Sequence, residues 1–197
     1  MKKLLRLFVG GWCGLILLSG CTAANTPAPA ATALPTVAQP TAAPTPARRG
    51  DAITWQGLQV GMDQIEITDS FITEFGFQRG PSVGLKFLWV HVTLKNEGQN
   101  EIKLPPAEHF SALYAATEFK PSYGHRQGYA DYDTLSATLF PGQQVAAWLR
   151  FDLPEAASLQ GLRFVFLPES TQVGVSASSA SYPWGGEHPV YVWKCAP

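Results

Sequence analysis

An all-β sandwich over residues 51–197 is what the sequence predicts, and three observations predict it. Apolar residues recur with period two in several short segments, turn-forming residues separate those segments, and no long amphipathic helical pattern comes between them. Period two puts successive side chains on opposite faces of a strand, so it describes strands with one buried face. Without crossover helices a parallel sheet has no means of connection, which leaves antiparallel sheets packed face to face.

The first candidate strands are residues 53–60 and 64–72. Across 86–94 the alternation is clearest: Leu88, Val90, Val92 and Leu94 share one face, and Phe87, Trp89, His91 and Thr93 share the other. A further strand is expected at 108–115. In 143–153 the residues Val145, Ala147, Leu149, Phe151 and Leu153 are apolar, with Gln144, Arg150 and Asp152 opposite. Segments 162–167 and 190–194 complete a set of roughly seven, the number of strands a small sandwich uses. Turn chemistry lies between them at Asn96-Glu97-Gly98, Pro105-Pro106, Pro141-Gly142 and Gly185-Gly186.

The first fifty residues have a different character. Lys2, Lys3 and Arg6 precede an apolar run over 7–18, shorter than the roughly 20 residues of a spanning helix and arranged as a secretory signal is. The run ends at Leu18-Ser19-Gly20-Cys21, which resembles the lipobox of bacterial lipoproteins. The resemblance implies a signal peptide over 1–20, a diacylglyceryl group on the Cys21 sulfur, and usually a further acyl chain, such as palmitate, on its amine. It places the protein on the extracytoplasmic face of a cell membrane or outer membrane; Thr22, rather than Asp, resembles the outer-membrane pattern. Residues 22–197 offer no apolar stretch of spanning length, so lipid would be the sole anchor. Residues 21–50 are almost entirely Ala, Thr and Pro after the cysteine, with prolines at 27, 29, 35, 40, 44 and 46. Such a segment cannot bury a core and is expected to be a disordered, extended tether.

Charge narrows the partners. The chain has 14 Lys and Arg against 15 Asp and Glu, and loss of Lys2, Lys3 and Arg6 with the signal leaves 11 against 15, a net charge of −4. An acidic chain without a basic block is not built to bind nucleic acid. Of the three cysteines, Cys13 and Cys21 belong to the export segment, so Cys195 has no partner and no inter-sheet disulfide can form within one copy. Cys195 is expected to be an unreactive thiol.

The run Phe87-Leu88-Trp89-Val90-His91-Val92-Thr93-Leu94-Lys95-Asn96-Glu97-Gly98, with Leu139-Phe140-Pro141-Gly142-Gln143 and the strand ending at Phe151-Asp152-Leu153-Pro154, resembles the telokin-like, immunoglobulin-like domain of bacterial lipoproteins and secreted proteins. The likeness covers about residues 53–168. It implies an immunoglobulin-like β-sandwich in which the Lys-Asn turn ends one core strand and the Pro-Gly turn begins another, and it brings no catalytic residues.

No catalytic, cofactor or metal constellation is legible. His91, His109, His125 and His188 are scattered, and Asp131 and Asp133 have no further acidic neighbour to complete the six to eight oxygens that Ca²⁺ takes. Nucleophile-elbow, zinc-helix and phosphate-loop motifs are absent. Two segments have the composition of recognition surfaces. Residues 121–134 hold Tyr123, His125, Arg126, Tyr129 and Tyr132 among glycines, which suits an adaptable binding loop or a connection folded back on the sandwich. A hairpin turn at Gly185-Gly186 would put Tyr182, Trp184, Tyr191 and Trp193 on one face, as a platform for a glycan or protein or as cover for a sheet flank. The function expected is therefore a non-catalytic, monomeric interaction module displayed by a lipid anchor. A structural envelope protein, or a hydrolase or metal-carrier with a site built from distant residues, is the alternative.

Overall fold

The computed structural model describes residues 45–168 and 189–196. Its strands are β1 (Ala52–Trp55), β2 (Leu58–Thr68), β3 (Phe71–Ile72), β4 (Gln78–Arg79), β5 (Leu85–Asn96), β6 (Ile102–Lys103), β7 (Phe110–Tyr114), β8 (Thr117–Phe119), β9 (Thr138–Leu139), β10 (Gln144–Pro154), β11 (Arg163–Phe166) and β12 (Tyr191–Lys194). One antiparallel sheet has the order β1-β2-β5-β10 and the other β12-β11-β7-β8, with the pairs β3-β4 and β6-β9 beside them.

The expected alternation is what joins the sheets. Leu88, Val90, Val92 and Leu94 of β5 and Ala147, Leu149, Phe151 and Leu153 of β10 are buried in one core with Phe110, Ala112, Phe164, Phe166 and Trp193 of the second sheet. The molecule is all-β and sandwiched, as the sequence predicts. Burial of this many large apolar side chains, each contributing about 1.5–3 kcal/mol, supplies the stability that a disulfide gives elsewhere.

Several boundaries differ from the sequence reading, each for a local reason. Residues 53–60 are not one strand: Gln56 (φ 48°) and Gly57 (φ 84°) make a two-residue hairpin turn between β1 and β2. β2 then runs through 64, and a bulge between Met62 and Gln64 changes the register. Leu58, Val60 and Met62 face the core before the bulge and Ile65 and Ile67 after it, so even parity becomes odd within one strand. Residues 107–109 form a 3-10 turn ahead of β7, and Ala115 (φ 47°) and Ala116 (φ 63°) turn the chain into β8.

The folded body also begins before residue 51, inside the stretch expected to be tether. The Ala47 amide donates to Val192 O at 2.7 Å and Ala47 O accepts from the Lys194 amide at 2.9 Å, so this stretch lies beside β12. Asn96 is fully buried. Its amide donates to Asn100 O (2.8 Å) and Leu139 O (2.9 Å) and accepts from the Gly98 amide (2.8 Å). Every polar atom of that side chain is paired, and the Asn96-Gly98 and Pro141-Gly142 turns are thereby tied together at one end of the sandwich.

Candidate functional site

The outer face of the first sheet carries the densest chemistry. Cross-strand pairing sets Glu66 of β2 beside Trp89 of β5 and Trp89 beside Arg150 of β10; one step along, Gln64, His91 and Trp148 form the next row. Because these residues alternate with the core-facing ones, they all point away from the core. Phe71, reached by the turn after β2, lies on Phe87 and Trp89 with ring centroids 5.2 and 5.1 Å apart, and these three with Trp148 form a second buried cluster.

Residues 121–134 close over this face. β10 is the sheet's edge strand, and the loop satisfies its exposed backbone: the Ser122 amide donates to Arg150 O (2.7 Å) and the Trp148 amide donates to Ala130 O (2.8 Å). Edge coverage of this kind removes a template for unwanted strand pairing. The loop is fixed on its other side by the Gln127 amide donating to Ile72 O (2.9 Å).

The loop inserts Arg126 between rings. Its guanidinium carbon lies 3.6 Å from the Tyr129 ring centroid, 5.1 Å from Trp89 and 5.5 Å from Trp148. Its Nη2 donates to Glu66 Oε2 at 2.7 Å. Beside it Arg150 lies over Phe87 (5.1 Å) and Phe71 (5.8 Å), and burial pulls its affinity for a proton below the usual guanidinium value, with Asp152 opposing. Gly124 passes so close to Arg150 that a Cβ there would stand 3.0 Å from Cζ and nearer still to Nη1. His125 pairs with Asp131, which is itself buried. Burial raises the Asp131 carboxyl above the usual 3.8, His125 works against that shift, and Asp133 and Glu74 add to it. His91 Nδ1 meets the bulge residue Asp63 at 2.6 Å.

Around this packed centre, large apolar side chains stand in solvent. Phe75 is 77% exposed, Phe77 70% and Tyr123 70%, with Ile72 and Tyr129 partly so. The turn bearing the two phenylalanines is closed by its own hydrogen bonds: the Thr73 amide donates to Phe77 O (2.8 Å), the Gly76 amide to Thr73 O (2.9 Å), and the Phe77 amide to Thr73 Oγ1 (3.1 Å). Gly76 has φ 81°.

The sequence candidates divide accordingly. Tyr123, His125, Arg126 and Tyr129 come together on this face. Tyr132 does not belong with them: it is buried in the core, where its hydroxyl donates to Pro105 O at 2.7 Å and its ring meets Phe110. The 3-10 turn over Tyr132–Thr134 swings it inward. Trp193 likewise is no platform. It is fully buried, its Nε1 donates to Asp51 O at 3.0 Å, and Tyr191 on the same face of β12 stacks on Phe166. That face of β12 covers the sandwich. Tyr182, Trp184 and Cys21 lie outside the described residues. Cys195 is buried and burial pushes its thiol up to about 12, against weaker opposing effects of the Phe164 backbone, Arg49 and Arg163. It is protonated and inert at neutral pH.

Sequence reasoning missed Trp89, Trp148, Glu66 and Arg150 as site residues, as well as Phe75 and Phe77. The signal was an aromatic outer face, Phe87-Trp89-His91, on a strand whose other face was already apolar; a strand rich on both faces needs cover on both. Among the described residues no three His, Cys, Asp or Glu side chains group as metal ligands, and no helix is long and apolar enough to cross a membrane.

Residues 56–172 match the family model described as a domain of unknown function, DUF4352. The chain belongs to the DUF4352 family. The matched range runs from β2 to β11 and includes the loop over 121–134 and the β3-β4 turn, so every residue of the outer-face site lies within the DUF4352 domain. Among solved structures the domain is similar to the yjhA protein from Bacillus subtilis, with 14% identity over 75% of this chain and 97% of that one and a TM-score of 0.52. It is also similar to an uncharacterized beta-sandwich protein from Clostridium difficile 630, with 13% identity over 77% of this chain and 97% of that one and a TM-score of 0.46. At such identities the first likeness bears on the fold alone. No curated protein matches the chain.

Proposed function

We propose that this DUF4352 protein is lipid-anchored on the extracytoplasmic side of a membrane and displays an immunoglobulin-like, non-catalytic interaction module. The anchor rests on Leu18-Ser19-Gly20-Cys21 after a short apolar run with a basic start. The interaction surface is the outer face of the first sheet, bounded by the β3-β4 turn and residues 121–134. One observation carries this: Phe75, Phe77 and Tyr123 are held exposed around a packed aromatic floor. Exposed apolar clusters on a rigid support mark binding surfaces, because leaving such rings in water is unfavourable until a partner covers them.

The test is a protein-partner and glycan array probed with the full chain carrying Cys21→Ser, alongside the same chain with Phe75→Ser and Phe77→Ser. Both rings are largely exposed, so the double variant should shift stability by no more than about 1 kcal/mol. Loss of most of the capture at unchanged melting temperature is the expected result. Equal capture by both proteins would place the interaction elsewhere and overturn the assignment of this surface.

A further inference from the structure

Arg126 sits in a site more complete than a loop pin needs. A guanidinium can be held to a sheet by one carboxylate, yet here three rings and Glu66 surround it, and its side chain is only 11% exposed. Aromatic faces carry negative quadrupole potential, and a set of them closed by a carboxylate is the arrangement that selects guanidinium and alkylammonium groups. Most of this site does not depend on the loop. Trp89, Trp148 and Glu66 are placed by the β2-β5-β10 register, and Trp148 is further braced by His91 at a centroid distance of 4.9 Å. Only Tyr129 and the guanidinium itself belong to the covering segment.

The cover also buries polar atoms that it does not pair. Asp131 Oδ1 and Arg150 Nε, both at the seam between loop and sheet, are buried without a hydrogen-bond partner among the described residues. Burying a polar atom without a partner is unfavourable, and lifting the loop returns both atoms to water. Against that gain stand the backbone hydrogen bonds at Ser122, Gln127 and Trp148 and the filled cage, so the loop lifts only when another cation takes the place of Arg126.

We propose that Trp89, Trp148 and Glu66 form a recognition site for an external guanidinium or alkylammonium group, with Arg126 as its resident occupant, so that the ligand enters by displacing Arg126 and its loop. The cation can be a partner protein's side chain or a free small molecule. This deepens the interaction-module reading and rests on it: Phe75, Phe77 and Tyr123 form the rim, and the cage supplies the chemical selectivity.

The experiment uses the full chain carrying Cys21→Ser, titrated with ethylguanidinium, with tetramethylammonium, and with a short arginine-containing peptide, each at matched ionic strength and followed by tryptophan fluorescence. Arg126→Ala empties the cage and should bind ethylguanidinium at least about tenfold more tightly than the parent chain, while adding Glu66→Gln should take that gain away. If Arg126→Ala does not fold, Arg126→Gln, which removes the cation but keeps a polar side chain of similar reach, carries the same comparison. In the parent chain, saturating probe should speed hydrogen exchange at the Gln127 and Tyr129 amides as the loop lifts. Tighter binding of the peptide than of ethylguanidinium identifies the source as a partner chain; the reverse identifies a free cation. Absence of binding to the emptied cage, indifference to Glu66→Gln, or unchanged exchange in the parent chain would overturn the proposal. Partner capture that still depends on Phe75 and Phe77 while no cation binds would remove this inference and leave the function reading standing.

Discussion

Asp131 shows how one residue can report on the seating of a whole loop. Its carboxylate is buried, paired with His125 through one oxygen and without a hydrogen-bond partner at the other among the described residues. Burial is the larger influence, so the carboxyl titrates above 3.8 in the folded protein. A raised value means that the folded state binds the proton more tightly than the unfolded chain does. The stability linked to this group is then fully present below the unfolded value and is lost as pH rises through the folded one. Asp131→Asn cannot ionise and escapes that loss. Denaturant unfolding of both proteins should show the variant gaining stability relative to the parent as pH increases from about 4 to about 7. A relative loss over the same range would mean that the His125 pair outweighs burial.

At the scale of single elements, the β7-β8 hairpin is the clearest case of backbone strain. Tyr114 pairs with Thr117, so the turn consists of Ala115 and Ala116 alone, and both have positive φ (47° and 63°). A two-residue turn of this hand matches sheet twist but suits Asn-Gly, because a Cβ disfavours the left-handed region by about 1–2 kcal/mol per residue. Replacing Ala115 and Ala116 with Asn and Gly should therefore stabilise the domain by about 1 kcal/mol, read as a higher denaturant midpoint at unchanged slope. A lower midpoint would show that the alanine methyls make contacts worth more than the strain.

The same turn shows where the sequence falls silent. Alanine carries no turn signal, so β8 is illegible in it, whereas Gly98 and Gly142 mark their turns openly. β5 and β10 are legible because their parity is constant over their whole length. β2 is not, because the extra residue at Asp63 exchanges its faces and breaks one long strand into two apparent short ones. The site was half legible: the loop's composition pointed to 121–134, but the floor beneath it depends on cross-strand register, which brings Glu66, Trp89 and Arg150 into one row from three distant segments. Tyr132 was misplaced for a related reason, since an aromatic's side of a chain cannot be known before the turn preceding it is, and for Trp193 the structure selects the cover of the sheet flank over the platform.

For the whole molecule, the decisive question is whether the proposed lipid on Cys21 holds it at a membrane. Among the described residues no helix can span a bilayer, and the first sheet's outer face is closed by a loop anchored through Ser122, Gln127 and Ala130. If the anchor is the lipid on Cys21, attachment is a matter of acyl chains alone. Each buried methylene contributes about 0.8 kcal/mol, one chain binds only marginally and two bind stably. Cys21 lies 24 residues before the first described residue, Thr45, so removing its sulfur should leave the sandwich untouched. Cys21→Ser should thus release the protein into the soluble fraction or leave an unprocessed precursor. Its purified domain should give the β-rich circular dichroism and melting temperature of the parent. Unchanged retention on membranes after a salt wash without detergent would refute lipid as the sole anchor. A lowered melting temperature would show that residues near the anchor pack on the sandwich, in continuation of the Ala47 pairing with β12.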